Sequence, residues 1–142
     1  MLNFLVDRGF CTGVSDYFDD LVSQFPREWP PFHHPAEAIA VIREAGGVPI
    51  LAHPGASLNH TGITEEALRP FLDFGIAGLE CYACYHDEAT TRFCLDWCDR
   101  HDLLITGGSD SHGGFVGREL GVPVVHTTDL RLGELAERII VG

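Results

Sequence analysis

The chain has 142 residues, of which 45% are hydrophobic, and its formal net charge is −12 without a single lysine. A chain this acidic is not expected to bind duplex nucleic acid through a broad basic face, and the absence of lysine excludes a lysine P-loop and a Schiff-base mechanism. No stretch approaches the roughly 20 consecutive apolar residues of a membrane span, and the first residues do not resemble a signal peptide. We therefore expect a cytoplasmic protein with no membrane partner.

Residues 1–34 are predicted to form a helical, proline-rich segment. Phe18, Leu21 and Val22 roughly follow helical spacing. Three prolines between residues 26 and 31 forbid a continuous helix there, because proline removes a backbone donor and clashes with the preceding turn. We interpret this proline-rich stretch as a loop or hinge ahead of the main fold, which spans residues 35–142.

The main fold alternates between helical and strand patterns. The predicted order is a helix over 35–45, a strand over 48–52, a helix over 64–74, a strand over 76–82, a helix over 87–101, a strand over 103–106, a glycine-rich loop over 107–114, a strand over 122–125 and a closing helix over 132–140. Such alternation is typical of an α/β fold with parallel strands and helical crossovers. Ligands bind such folds at the carboxyl ends of the strands.

Polar side chains follow three of the predicted strands. His53 follows the first, residues 81–86 close the second, and Asp110 and His112 lie in the glycine-rich loop after the third. Because the carboxyl ends of parallel strands meet at one rim, we expect these groups to converge. Carboxylate oxygen and imidazole nitrogen both suit a divalent cation, so the pattern favours a metal site over a plain polar turn.

The five cysteines form an odd set without a secretory signal, which indicates free thiols in a reducing compartment. Cys81-x-x-Cys84 has a spacing found in zinc and redox sites, but residues three apart on a strand point to opposite faces. Cys94 and Cys98 share one face of a predicted helix. We expect buried structural thiols, since free cysteine behaves as a small hydrophobic residue.

Three motifs together resemble the PHP (polymerase and histidinol phosphatase) family of phosphoesterases. The stretch 46–55, GGVPILAHPG, is similar to the family's aGGv-vlAHPg motif, residues 78–82, GLECY, resemble its GiEvy strand, and residues 105–113, ITGGSDSHG, resemble its GSDxH motif. The early segment through the prolines is similar to the family's insertion between its two halves. The resemblance covers essentially the whole chain.

The resemblance implies a distorted (β/α)7 barrel with two or three metal ions, Zn²⁺, Mn²⁺ or Fe²⁺, at its carboxyl rim. Residue by residue, it implies that His53, Asp110 and His112 are metal ligands, with Asp110 central to catalysis. Glu80 is expected to position a neighbouring group rather than to bind metal.

Two further residues are candidates for contact with substrate. His86 is expected to hydrogen-bond phosphate or to protonate the leaving oxygen, and the alternative is a ring exposed beside a helix N-cap. Arg118 is a candidate phosphate clamp, and the alternative is an ion pair with Glu119 or Asp110.

The family's other ligands come from an N-terminal half that opens with a His-x-His motif. This sequence has no such motif, and the adjacent His33 and His34 do not replace it. The chain therefore resembles the C-terminal half of a PHP protein, that is, a partial barrel. An open half-barrel would expose the edge of its sheet, so we expect a homodimer or a partner chain that carries the N-terminal half.

The function implied is that of a metal-dependent phosphoesterase, a phosphatase on small nucleotides or a related exonuclease. Its substrate would be a phosphorylated small molecule or a short nucleotide, and the isolated chain is expected to be weak or inactive. One alternative is a noncatalytic subunit or binding module that completes a site with a partner. Another is a zinc or redox protein built on the Cys81-x-x-Cys84 pair.

Overall fold

The computed structural model describes residues 2–13, 16–24, 31–58, 62–113 and 118–138. Most of the proline-rich stretch, residues 25–30, and the end of the predicted closing helix, residues 139–142, lie outside these ranges. The chain divides into two compact units. One comprises Met1–Phe32 and Ser109–Leu120, and the other comprises His33–Gly108 and Gly121–Gly142.

The first unit contains helix α1, Leu2–Asp7, and a short π-helix, Tyr17–Val22. Asp16 precedes the π-helix, and its carboxylate accepts hydrogen bonds from the backbone N–H groups of Thr12 and Gly13. The bond from Thr12 is the main reason that the pKa of Asp16 lies below its usual range. The predicted helical character of this segment is confirmed over Tyr17–Val22.

The second unit has the predicted α/β alternation. Its elements are α2, Pro35–Glu44; β1, Ile50–Leu51; α3, Pro54–Ser57; α4, Glu65–Asp73; β2, Gly78–Ala83; α5, Glu88–His101; β3, Leu104–Gly108; a 3-10 turn, Thr127–Asp129; and α6, Glu134–Glu137. Side chains cap three of the helices. At the start of α2, His34 Nδ1 accepts a hydrogen bond from the Ala36 N–H. Thr64 Oγ1 accepts from the Ala67 N–H at the start of α4, and Asp87 Oδ1 accepts from the Thr90 N–H at the start of α5. These bonds give partners to backbone N–H groups that have none within the helix.

The sheet of the second unit is open and parallel, in the order β1-β2-β3. Helices connect the strands, so the predicted parallel strands with helical crossovers are confirmed. Side chains from α4, β2, β3 and α5 form the core, and its fully buried members include Leu68 on α4, Leu79 on β2 and Trp97 on α5. Along β2, the side chains of Leu79, Cys81 and Ala83 are buried, whereas those of Glu80 and Tyr82, which alternate with them, are half-buried.

The strand predicted over residues 122–125 is wrong. Those residues have no strand structure, and the edge of β3 is instead bridged by Arg131, which exchanges two backbone hydrogen bonds with Ile105. Pro123 has no N–H to donate to a ladder, which explains why this apolar stretch does not extend the sheet. The closing helix is one turn, Glu134–Glu137, within the described residues. None of the described helices has the length and apolar character needed to cross a membrane.

Candidate functional site

His53 lies two residues beyond β1 and has an uncommon backbone conformation. Its φ of 32° and ψ of 60° lie in the left-handed region, although a residue before proline normally adopts an extended conformation. The His53 N–H donates to Glu80 Oε2 at 2.8 Å, and the imidazole packs edge-on against Tyr85 with ring centroids 5.3 Å apart. A carboxylate on β2 therefore holds the turn that presents the His53 ring.

Glu80 contacts the backbone of a predicted ligand, as the positioning role expected from the sequence would require. Its Oε2 accepts the His53 N–H, and its Oε1 lies under Gly108 at the end of β3, where an added Cβ would come within 2.9 Å of it. The side chain thus reaches from the central strand toward both neighbouring strands of the sheet. This placement depends on β1, β2 and β3 being parallel and adjacent.

His86 follows β2, and both nitrogens of its ring are hydrogen-bonded. Nε2 accepts from the Gly55 N–H at 2.9 Å, and Nδ1 lies 2.8 Å from the carbonyl oxygen of Cys81. A backbone N–H can only donate, so the hydrogen-bond pattern assigns a neutral ring with its proton on Nδ1. His86 thereby braces the turn after His53 against the end of β2.

The close approach of His86 explains the glycine of the His53-Pro54-Gly55 turn. A Cβ at Gly55 would lie 2.6 Å from His86 Cδ2 and 2.9 Å from Thr90 Cγ2. His86 does adjoin the helix cap Asp87, but its ring is half-buried rather than exposed. The phosphate-binding and proton-donating roles of His86 stay predictions, and both would require one ring nitrogen to give up its present partner, Gly55 or Cys81.

The second group of predicted residues lies in the segment that follows β3. Asp110 has a φ of 47°, and its Oδ1 lies 3.0 Å from His112 Nε2. Arg118 Nη1 contacts Asp110 Oδ2 and also donates to the Asp110 carbonyl oxygen at 2.9 Å. The ion pair with Asp110, one of the two expected alternatives for Arg118, is therefore present, and its role as a phosphate clamp stays a prediction.

The structure thus forms two local clusters from the predicted residues. One is His53, Glu80 and His86 around the turn after β1, and the other is Asp110, His112 and Arg118 after β3. Within the described ranges, no three His, Cys, Asp or Glu side chains are grouped so that they could hold a metal ion.

Tyr85 and Gly55 were not singled out from the sequence. Their position in segments that follow strands is the signal that could have indicated them.

Two curated proteins are similar to part of the chain. A phosphoribosyl 1,2-cyclic phosphate 1,2-diphosphodiesterase of Eggerthella lenta is 34% identical over 79 residues, which are 56% of this chain and 28% of that protein. A 3′,5′-nucleoside bisphosphate phosphatase of Chromobacterium violaceum is 34% identical over 96 residues, which are 66% of this chain and 32% of that protein. No protein-family model matches the chain.

Two solved structures match nearly the whole chain. A protein of Bifidobacterium adolescentis, described as a metal-dependent phosphoesterase, has a TM-score of 0.72 and 31% identity, and the match covers 99% of this chain and 49% of that one. An amidohydrolase of Chromobacterium violaceum, with bound sulfate and no metal, has a TM-score of 0.62 and 26% identity, and the match covers 98% and 50%. The chain is thus similar, in sequence and in fold, to part of a protein described as a metal-dependent phosphoesterase, and it spans about half the length of these solved structures and about a third of the curated proteins.

Proposed function

We propose that this chain contributes to a metal-dependent phosphoesterase that hydrolyses phosphate esters of small nucleotides or similar phosphorylated pentoses. The names of both curated relatives describe phosphate esters, one of a ribosyl compound and one of a nucleoside. The single observation that carries the proposal is the 3.0 Å approach of Asp110 Oδ1 and His112 Nε2 within the GSDSH motif. A related exonuclease activity on short nucleotides is the other member of this class.

The donor set fits a divalent cation. Oxygen and imidazole ligands each lie about 2 Å from zinc, so two neighbouring ligands of one ion are about 3 Å apart, as Asp110 and His112 are. We propose that these two residues are ligands of the ion, with Zn²⁺, Mn²⁺ and Fe²⁺ as candidates, and His53 stays a candidate ligand from the sequence motif alone. When bound, such an ion supplies hydroxide at neutral pH by lowering the pKa of coordinated water toward about 7.

The remaining residues would bind and orient the substrate. Arg118 now neutralises Asp110. A cation bound at Asp110 would compete with Arg118 for the carboxylate, and the released guanidinium could then pair with phosphoryl oxygens in a bidentate manner. Glu80 keeps the turn that carries His53 in place. His86 would contribute to phosphate binding or proton transfer only after exchanging its present partners.

The partial barrel and the missing ligands belong to the same proposal. We infer that the open sheet is the C-terminal part of a (β/α)7 barrel, and that a second copy or a partner chain supplies the rest of the site. The match to about half of each solved relative supports this inference. A noncatalytic subunit that completes a partner's site is the second candidate, favoured by the absence of a three-residue metal group among the residues described.

Metal content and hydrolysis test the proposal together. The purified chain is incubated with Mn²⁺, bound metal is measured by elemental analysis, and hydrolysis of adenosine 3′,5′-bisphosphate and p-nitrophenyl phosphate is followed. We expect stable metal uptake and weak, metal-dependent hydrolysis, with both lost in Asp110→Asn. Asp96→Asn, an exposed carboxylate on α5, is the matched control and should change neither.

The two candidate functions give different results. Metal uptake without hydrolysis would favour the noncatalytic subunit. Absence of both uptake and hydrolysis in the wild-type chain would overturn the metal-dependent function of this polypeptide by itself.

A further inference from the structure

Three of the five cysteines lie together in the core of the second unit. Cys81 is on β2, and Cys94 and Cys98 are one turn apart on α5; all three are 0% exposed. The Sγ atoms of Cys81 and Cys98 are 3.6 Å apart. The proposed phosphoesterase site uses none of these thiols, and the pair differs from the Cys81-x-x-Cys84 pair that the sequence suggested.

The two sulfurs of the close pair have unequal surroundings. A hydrogen bond from Cys81 lowers the pKa of Cys98, and the nearby positive charge of Arg131 lowers it further. Hydrogen bonds to Cys94 and Cys98, together with burial, raise the pKa of Cys81. Negative charge on sulfur is therefore better stabilised at Cys98 than at Cys81.

The guanidinium of Arg131, near Cys98, has one nitrogen without a hydrogen-bond partner among the described residues. Its Nε donates to the Leu103 carbonyl oxygen at 2.7 Å and its Nη1 to Asp99 at 2.9 Å. Its Nη2 is buried and has no hydrogen-bond partner among the described residues. A buried donor without a partner is costly, and a thiolate at Cys98 would provide a negative charge near the guanidinium.

The geometry of the pair suits a disulfide. The sulfurs are in nonbonded contact at 3.6 Å, and a disulfide bond is about 2 Å long, so closure needs a movement of about 1.5 Å. Cys81 lies where the register between β2 and β3 shifts, a local irregularity that a regular ladder would not have. Complete burial restricts the oxidant to a small molecule.

We propose that Cys81 and Cys98 are an oxidation site that hydrogen peroxide converts into an intrachain disulfide. The Cys98 thiolate attacks one peroxide oxygen, the O–O bond breaks, hydroxide leaves and Cys98 becomes a sulfenic acid. Cys81 loses its proton to hydroxide and attacks the Cys98 sulfur, the S–O bond breaks, and the hydroxyl leaves as water after it takes up a proton. In total two thiols lose two hydrogens, and one peroxide is reduced to two waters.

The disulfide would connect the core to the turn of the candidate site. The carbonyl oxygen of Cys81 is the partner of His86 Nδ1, and His86 Nε2 holds the Gly55 N–H. Movement of Cys81 on closure therefore acts directly on the residue that braces the turn after His53.

Peptide mapping of the oxidised chain tests the site. The folded full chain is treated with hydrogen peroxide, free thiols are alkylated under denaturing conditions, and the chain is digested with chymotrypsin without reduction. Cleavage after Tyr82 and Trp97 separates Cys81 from Cys84 and Cys94 from Cys98. We expect a mass loss of two hydrogens and a linked peptide pair containing Cys81 and Cys98, both reversed by dithiothreitol.

Cys94→Ala is the matched control, because Cys94 is equally buried one turn earlier on the same helix and should leave the link intact. Cys98→Ala should abolish it. The proposal is overturned if the wild-type chain keeps all five thiols open to alkylation, or if Cys81 is joined to Cys94, to Cys84 or to another chain. The wild-type map decides the matter even where a variant does not fold.

Discussion

At the scale of single residues, two predicted metal ligands have backbone conformations that side chains usually avoid. His53 and Asp110 have φ values of 32° and 47°. A third such residue, Asp102, ends α5, where a left-handed residue is common. A left-handed residue costs on the order of 1–3 kcal/mol and persists only where its surroundings enforce it. The Glu80 carboxylate accepts the His53 N–H and so helps to hold His53 in this conformation.

Replacement of Glu80 should loosen the turn that carries His53. In Glu80→Ala the His53 N–H loses a charged acceptor, and we expect the free energy of unfolding to fall by about 1–3 kcal/mol. Glu80→Gln keeps an acceptor oxygen and should lose less. Urea denaturation of the three proteins measures this order. Equal stability of Glu80→Ala and the wild type would show that the hydrogen bond does not hold the turn.

Replacement of Gly55 should conflict with the His86 ring. The Cβ of Gly55→Ala would lie 2.6 Å from the ring, and we expect a loss of about 1–3 kcal/mol in unfolding free energy from overpacking. A double-mutant cycle supplies the control. When His86→Ala removes the ring, the added effect of Gly55→Ala should shrink, because the two residues are in contact. If the losses in unfolding free energy from Gly55→Ala and His86→Ala are additive, the strain of the new methyl group does not come from contact with the His86 ring.

At the scale of elements, the ends of helices and strands decide how the candidate site is presented. Asp87 caps α5 through the Thr90 N–H at 2.7 Å, directly beside His86. The side chain and backbone of Thr90 lower the pKa of Asp87 below its usual range. A helix N-terminus also attracts negative charge, so the hydrogen bonds and the helix both favour the ionised form of Asp87.

The cap should make stability depend on pH. A carboxyl group whose pKa is lowered by folding stabilises the protein above its unfolded pKa and loses this effect as the pH falls through the folded value. Asp87→Asn keeps a capping oxygen but does not titrate. We expect the wild type to exceed the variant in unfolding free energy at neutral pH, and the difference to disappear as the pH falls below about 4. A difference that is constant over this range would contradict the assignment.

At the scale of the whole molecule, the second unit has an open sheet in a strongly acidic chain. Strand β1 pairs only with β2 among the residues described, so one edge of the sheet lacks a strand partner there. A net charge of −12 opposes nonspecific association, so any association needs specific contacts. The proposed second copy or partner chain would provide them.

Self-association is measurable directly. We expect light scattering at micromolar concentration to give a dimer, because an uncovered parallel edge leaves backbone donors and acceptors unpaired. The Pro49 carbonyl oxygen faces β2, where it accepts the Ala77 N–H, so the N–H of the next residue faces the open edge of the sheet. Ile50→Pro removes that N–H and should weaken the dimer. A monodisperse monomer at these concentrations would contradict homodimerisation and leave a different partner chain as the candidate.

The local properties of this protein followed from its sequence. Hydrophobic periodicity and cap residues predicted the main helices and all three strands of the sheet, because both depend on residues close in the chain. The motifs around His53 and Asp110 indicated the resemblance to phosphoesterases, since they combine particular residue types at fixed spacing. The apolar run at 122–125 led to a wrong prediction of a strand, because its pattern does not reveal that Arg131 bridges the edge of β3.

Only the tertiary structure decided which distant residues meet. Glu80 holds the backbone of His53, 27 residues away, and His86 spans from Cys81 to Gly55. Cys81 pairs with Cys98 rather than with the nearby Cys84. These contacts depend on strand register and on the packing of α5 against β2, which sum weak interactions over many residues. Sequence spacing therefore determined the helices and strands, whereas packing determined which distant residues are in contact.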